Sequence, residues 1–87
     1  MFTVVMPKRV DKQIQKLRLL EKKKLVQLIE DLREFGPIQH RWKNYSKIGE
    51  AEYHCHLSYH WIACWRETDK ELVLEVYYVG SRENAPY

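Results

Sequence analysis

Residues 52–79 read EYHCHLSYHWIACWRETDKELVLEVYYV. Three runs in this stretch, Glu52–Tyr59, His60–Glu67 and Glu71–Val79, have the length and the aromatic and β-branched content of strands. Thr68-Asp69-Lys70 supplies a hairpin turn, whereas the break at Ser58-Tyr59-His60 is tight and lacks glycine. Leu72–Val79 is nearly all apolar, which predicts a strand near the centre of a sheet. Alternate residues of a strand share a face. Tyr53, Cys55 and Leu57 therefore point one way and His54 and His56 the other. On the next run Trp61, Ala63 and Trp65 form a core-like set, and His60, Ile62, Cys64 and Arg66 take the opposite face. The reading is an antiparallel meander with one covered face and one open face that carries histidines.

The cover comes from upstream. Val10, Ile14, Leu17 and Leu20 follow helical spacing, as do Leu25, Leu28, Ile29, Leu32 and Phe35. The five-residue step from Leu20 to Leu25 breaks the phase, so two helices are expected, paired as an antiparallel hairpin with its turn in Leu19–Lys23. Gly36-Pro37 ends the second helix. Residues 2–6 (Phe-Thr-Val-Val-Met) read as a strand that stops at Pro7. Residues 37–50 have no clean period and read as a loop or an irregular strand lead-in. The expected fold is α+β in the order β-α-α-β-β-β: an antiparallel meander sheet, joined by the first strand, with a helical hairpin on one face.

The 87 residues suffice for one domain, taken as residues 1–87. Eleven aromatic residues can anchor a core, which argues against disorder. No apolar run is long enough to cross a membrane and no signal-peptide pattern is visible, so a cytoplasmic location is expected. Cys55 and Cys64 read as buried thiols rather than a disulfide framework. Net charge is +3, but residues 1–49 hold twelve Lys/Arg against five Asp/Glu, and residues 50–87 hold three against seven. A basic half makes nucleic acid a candidate partner.

His54 and His56 titrate near neutrality and can act as base and acid, as cations around a phosphate, or simply as a solvated pair. As metal ligands they lack a third ligand at a fixed spacing, and no metal site is expected. Arg82, just past the third run, offers a donor fork suited to phosphate. In the 37–50 segment Trp42 and Tyr45 alternate with Arg41, Lys43 and Lys47, a mixture that either binds RNA or seals the core edge under solubilising lysines. Arg66 shares its strand face with His60 and is a further candidate contact. Gly-rich phosphate loops and serine-nucleophile elbows are lacking, which disfavours nucleotide hydrolysis and acyl transfer.

Taken together, the chain resembles the RelE/ParE superfamily of bacterial toxins. The resemblance rests on the element order, on Tyr53-His54-Cys55-His56-Leu57, on Val79-Gly80-Ser81-Arg82 and on Tyr87. It implies a toxin of a toxin–antitoxin system that cuts mRNA on the ribosome without metal or cofactor, by attack of the 2′-hydroxyl on the adjacent phosphorus. It implies a cognate antitoxin protein as partner, besides mRNA and the ribosome, and no membrane. His54 and His56 fall where RelE has two lysines, a departure from that protein, although other superfamily members use histidines. Arg82 matches a phosphate-clamping arginine and Tyr87 a base-stacking tyrosine, while His60 stands in for a further arginine. The implied catalytic set is His54, His56, His60, Arg82 and Tyr87, with Arg41, Trp42, Lys43, Lys47 and Arg66 as RNA or ribosome contacts. The same resemblance leaves two alternatives: a ParE-like inhibitor of DNA gyrase, or a non-catalytic binding protein.

Overall fold

A computed structural model describes residues 1–87. The chain runs β1 (Thr3–Val5), α1 (Lys8–Gln15), α2 (Leu19–Phe35), β2 (Ser46–Gly49), β3 (Glu52–His56), β4 (Trp61–Glu67) and β5 (Val73–Ser81), ending with a short 3₁₀ turn over Arg82–Asn84. The five strands form one sheet in the order β1-β5-β4-β3-β2. β2 to β5 are joined antiparallel, but β1 lies parallel to β5, with Thr3 opposite Val73 and Val5 opposite Glu75. The sheet is thus mixed rather than a strict meander. Two helices over an α+β sheet are as the sequence predicts.

The departures have local causes. The helix break falls at Lys16–Arg18, ahead of the expected Leu19–Lys23. Leu17 turns inward at that corner, and the buried face of α2 is Glu21, Leu25, Leu28 and Leu32. Its first inward position holds a carboxylate, while Leu20 is exposed, so the apolar pattern points to the wrong place. Glu21 is tolerated inside because Arg18 Nε and Nη2 donate to its two oxygens at 3.2 and 3.0 Å. That pair, with help from Ser58, holds the Glu21 carboxyl below its ordinary range against the effect of burial.

α2 stops at Gly36, whose φ of +85° suits glycine. A Cβ there would also sit 2.7 Å from the Phe2 ring. Gln39, itself buried, donates from Nε2 to the carbonyls of Asp31 and Gly36, and Trp65 Nε1 donates to the Pro37 carbonyl. These bonds pin the 37–45 segment to the end of α2 and to the core.

The segment then pairs as β2, where the sequence predicts a loop or an irregular lead-in; an edge strand with one apolar residue, Ile48, gives little periodic signal. β3 ends at His56, earlier than expected, because Leu57–His60 form the turn to β4. β5 runs on through Gly80 and Ser81, beyond the expected end of the run at Val79.

One core lies between the helices and the sheet: Val10, Leu17, Leu25, Leu28 and Leu32 pack on Tyr53, Cys55, Leu57, Ala63, Trp65, Leu74, Val76 and Val79. The second face carries a smaller cluster, Ile62, Cys64 and Tyr77, with Ile48, Tyr78 and Ala85 against it. A register shift between β4 and β5 sets Cys64 opposite Tyr78 and Trp65 opposite Val76. Tyr77 is the extra residue of this bulge, so both Tyr77 and Tyr78 project toward the second face. The amide of Val79 is bonded by Gln13 Oε1 of α1, at 2.9 Å. No helix is long and apolar enough to cross a membrane.

Candidate active site

The second face of the sheet gathers most of the residues singled out from the sequence. His54 and His56 project there from β3, as alternation requires. They are not on an open face: only 8% and 9% of their surfaces remain exposed. Residues beyond β5 fold back over this face. Ala85 packs on the Ile62, Cys64 and Tyr77 cluster, and the Tyr87 ring stands edge-on to His54 with centroids 4.9 Å apart. The two histidine rings are 5.7 Å apart.

Ser46 lies opposite His54 in register, and its Oγ is 3.0 Å from Nδ1 of the imidazole. With Nδ1 engaged, Nε2 is the ring nitrogen left for chemistry. Burial pulls the His54 pKa below its ordinary value; the bond at Ser46 opposes this and the neighbouring His56 adds to it. His54 is therefore neutral at pH 7, the state a general base requires. Partial burial moves the Tyr87 phenol upward, as does Cys64, while Arg82 pulls it down. The phenol keeps its proton at neutral pH.

Arg82 and His60 form a second group at the rim. The Arg82 amide donates to the His60 carbonyl at 2.9 Å, and the guanidinium lies 5.0 Å over the Tyr59 ring. Glu83 Oε1 is 3.8 Å from Arg82 Nε and 3.6 Å from His60 Nδ1. His60 is in the β3–β4 turn and more than half exposed, packed edge-on to Tyr59 at 4.5 Å. The approach to Arg82 is set by Gly80 and Tyr78. The Tyr78 hydroxyl donates to the Ser81 carbonyl at 2.7 Å, and a Cβ on Gly80 would meet that hydroxyl at 2.7 Å. Gly80 is thus bare so that Tyr78 can fix the chain just ahead of Arg82.

The six other sequence candidates divide. Arg41, Lys43 and Lys47 are exposed and take part in no ion pair. Trp42 is half-buried, packs on the core and donates from Nε1 to Asp31 Oδ2 at 2.9 Å, so it ties its loop to α2. Tyr45 stacks on Tyr53 and Trp65 at 6.2 and 6.1 Å, inside the aromatic edge of the core. Arg66 lies 3.8 Å over the Tyr77 ring, between Glu75 at 3.2 Å and Glu52 at 3.9 Å. Its charge is matched within the sheet. Two residues went unremarked in the sequence: Ser46, on a strand too polar to register, and Tyr59, hidden in a turn without glycine. No group of three or more His, Cys, Asp or Glu side chains comes together.

No family model matches the sequence, and no curated protein does. Solved structures do match in shape. The isolated RelE toxin of E. coli superposes with a TM-score of 0.76 at 19% identity, covering 99% of this chain and 89% of that one. RelE of Pyrococcus horikoshii, from a RelE–RelB complex, gives 0.75 at 17% identity, over 97% and 98% of the two chains. A metal-bound toxin from Helicobacter pylori gives 0.70 at 22% identity, over 95% and 97%. The chain therefore shares the fold of these solved toxins.

Proposed function

We propose that this protein is the toxin of a toxin–antitoxin pair and an endoribonuclease that cuts mRNA on the ribosome. The observation that carries the reading is the buried His54, held at Nδ1 by Ser46 and edge-on to Tyr87, on a face whose rim bears Arg82. The shared fold with RelE-type toxins supports it.

In the proposed reaction, Nε2 of His54 takes the proton of the RNA 2′-hydroxyl. The 2′-oxygen bonds to the adjacent phosphorus, and the bond to the 5′-oxygen breaks. Arg82 offsets the extra negative charge of the phosphorane. A proton from Tyr87 or from His56 goes to the leaving 5′-oxygen. The products are a 2′,3′-cyclic phosphate and a 5′-hydroxyl. His60, beside Arg82, adds donor capacity at the rim.

Arg41, Lys43 and Lys47 are free to meet ribosomal or messenger RNA phosphates. Arg66 is left out of this set because Glu52 and Glu75 hold it. The partner is an antitoxin protein, by analogy with RelE of P. horikoshii, which was crystallised with RelB. Two assays run side by side test the reading: mRNA integrity in a cell-free translation reaction, and supercoiling by DNA gyrase. Cut mRNA with normal supercoiling is expected. Intact mRNA with blocked supercoiling would replace the nuclease by a gyrase inhibitor, and no effect in either would leave a binding protein.

A further inference from the structure

The proposed reaction uses one phosphate and its two neighbouring riboses, yet the surface offers more. A groove of about 570 Å³ runs between α2, the 41–43 segment and the β3–β4 turn. That volume falls within the roughly 300–1,000 Å³ of ordinary ligand sites. Lys24, Arg41 and Lys43 line it, and none of the three has a carboxylate within ion-pair distance. The single acid in its wall, Asp31, is already bonded through Oδ2 to Trp42 and through Oδ1 to Gln27, both at 2.9 Å. The groove therefore carries three cations against one carboxylate, a net positive site for a polyanion.

Two residues connect this groove to the candidate active site. His56 contributes to its lining from the end of β3. Tyr59 lines it from the turn and also carries the Arg82 guanidinium over its ring. Tyr59 is 67% exposed and is not among the rings packed on the core. The aromatic residues expected from the sequence to stack on bases, Trp42 and Tyr45, are engaged in the protein itself.

We infer that this groove holds the single-stranded RNA next to the scissile phosphate, with Tyr59 as the surface on which a base stacks and Lys24, Arg41 and Lys43 as its phosphate contacts. The inference rests on the ribonuclease reading and deepens it: Tyr59 couples the occupancy of the groove to the position of Arg82, so the flanking base influences which bond is cut. Stacking on an aromatic ring tolerates any base but favours purines by area, so a purine is expected at the stacked position.

The probe is a fluorescein-labelled RNA hexamer, 2′-O-methylated throughout so that it cannot be cut, titrated with the full chain and read by anisotropy. Tyr59→Ala should weaken binding about tenfold without changing the salt dependence, and Tyr59→Phe should bind like wild type. Lys43→Ala and Arg41→Ala should each lower the slope of log K against log salt by about 0.7, one phosphate contact on a single strand. Thermal melts establish that each variant is folded. Wild-type protein that does not bind the hexamer at low salt, or variants that bind like wild type, would overturn the inference. Failure of the nuclease reading looks different, because mRNA then stays intact in translation while the hexamer still binds. Failure of this inference alone leaves mRNA cut at the same sites by wild type and Tyr59→Ala.

Discussion

Replacing Trp42 by phenylalanine separates two roles that the sequence leaves open for this residue. In the structure the indole N–H donates to Asp31 Oδ2 at 2.9 Å and the ring packs on the core edge. A hydrogen bond to a charged group contributes about 1.5–3 kcal/mol when buried. Trp42 is only half-buried, and Asp31 keeps its bond to Gln27 and access to water. The expected loss is thus near the low end, about 1–1.5 kcal/mol. For a domain of this size 1 kcal/mol moves Tm by about 4–8 °C, so Trp42→Phe should melt about 5–10 °C below wild type by far-UV circular dichroism. A double-mutant cycle with Asp31→Ala should give a coupling of about 1 kcal/mol between the two side chains. Phenylalanine would still stack on a base, so a Trp42 that served RNA alone would leave Tm unchanged. An unchanged Tm, or strictly additive single variants, would refute the anchoring role and with it the placement of Arg41 and Lys43 on the groove wall.

Gly36→Ala should cost about 3 kcal/mol or more in chemical denaturation, since it joins strain at φ +85° to a 2.7 Å clash with Phe2. Gly80→Ala should displace the Tyr78 hydroxyl from Ser81 and lower RNA cleavage at least tenfold, while far-UV circular dichroism shows the sheet retained. His54 has a folded pKa below its unfolded value of 6.5, so between the two the unfolded chain binds more protons. Stability is then complete above pH 6.5 and falls as pH drops through the lowered value. Urea denaturation at pH 7.5 and 5.5 should show this loss in wild type and less of it in His54→Gln.

The sequence carried most of the architecture because the core obeys simple periods. Tyr53, Cys55 and Leu57 alternate with the histidines, and α2 ends where Gly36 requires. Its failures occur where a polar residue occupies a structural position. Glu21 fills a core-facing helical site, which displaces the inferred break, and Ser46 and Lys47 disguise an edge strand. The parallel pairing of β1 with β5 is a long-range choice that three residues cannot announce. On the site, alternation places His54 and His56 together, but their burial depends on Ala85 and Tyr87 folding back, which no local pattern encodes. Arg66 illustrates the converse: a basic residue on the expected face whose partners, Glu52 and Glu75, come from neighbouring strands.

The proposed activity is cleavage of a ribosome-bound message by acid–base chemistry at the His54 face. The most direct measurement is primer extension on mRNA from a cell-free translation reaction, with and without ribosomes, using wild-type protein and His54→Ala. Discrete cuts within translated codons, 5′-hydroxyl ends on the downstream fragments, and no cuts without ribosomes or with His54→Ala are expected. Intact mRNA with the wild-type protein, or equal cutting by His54→Ala, would contradict it.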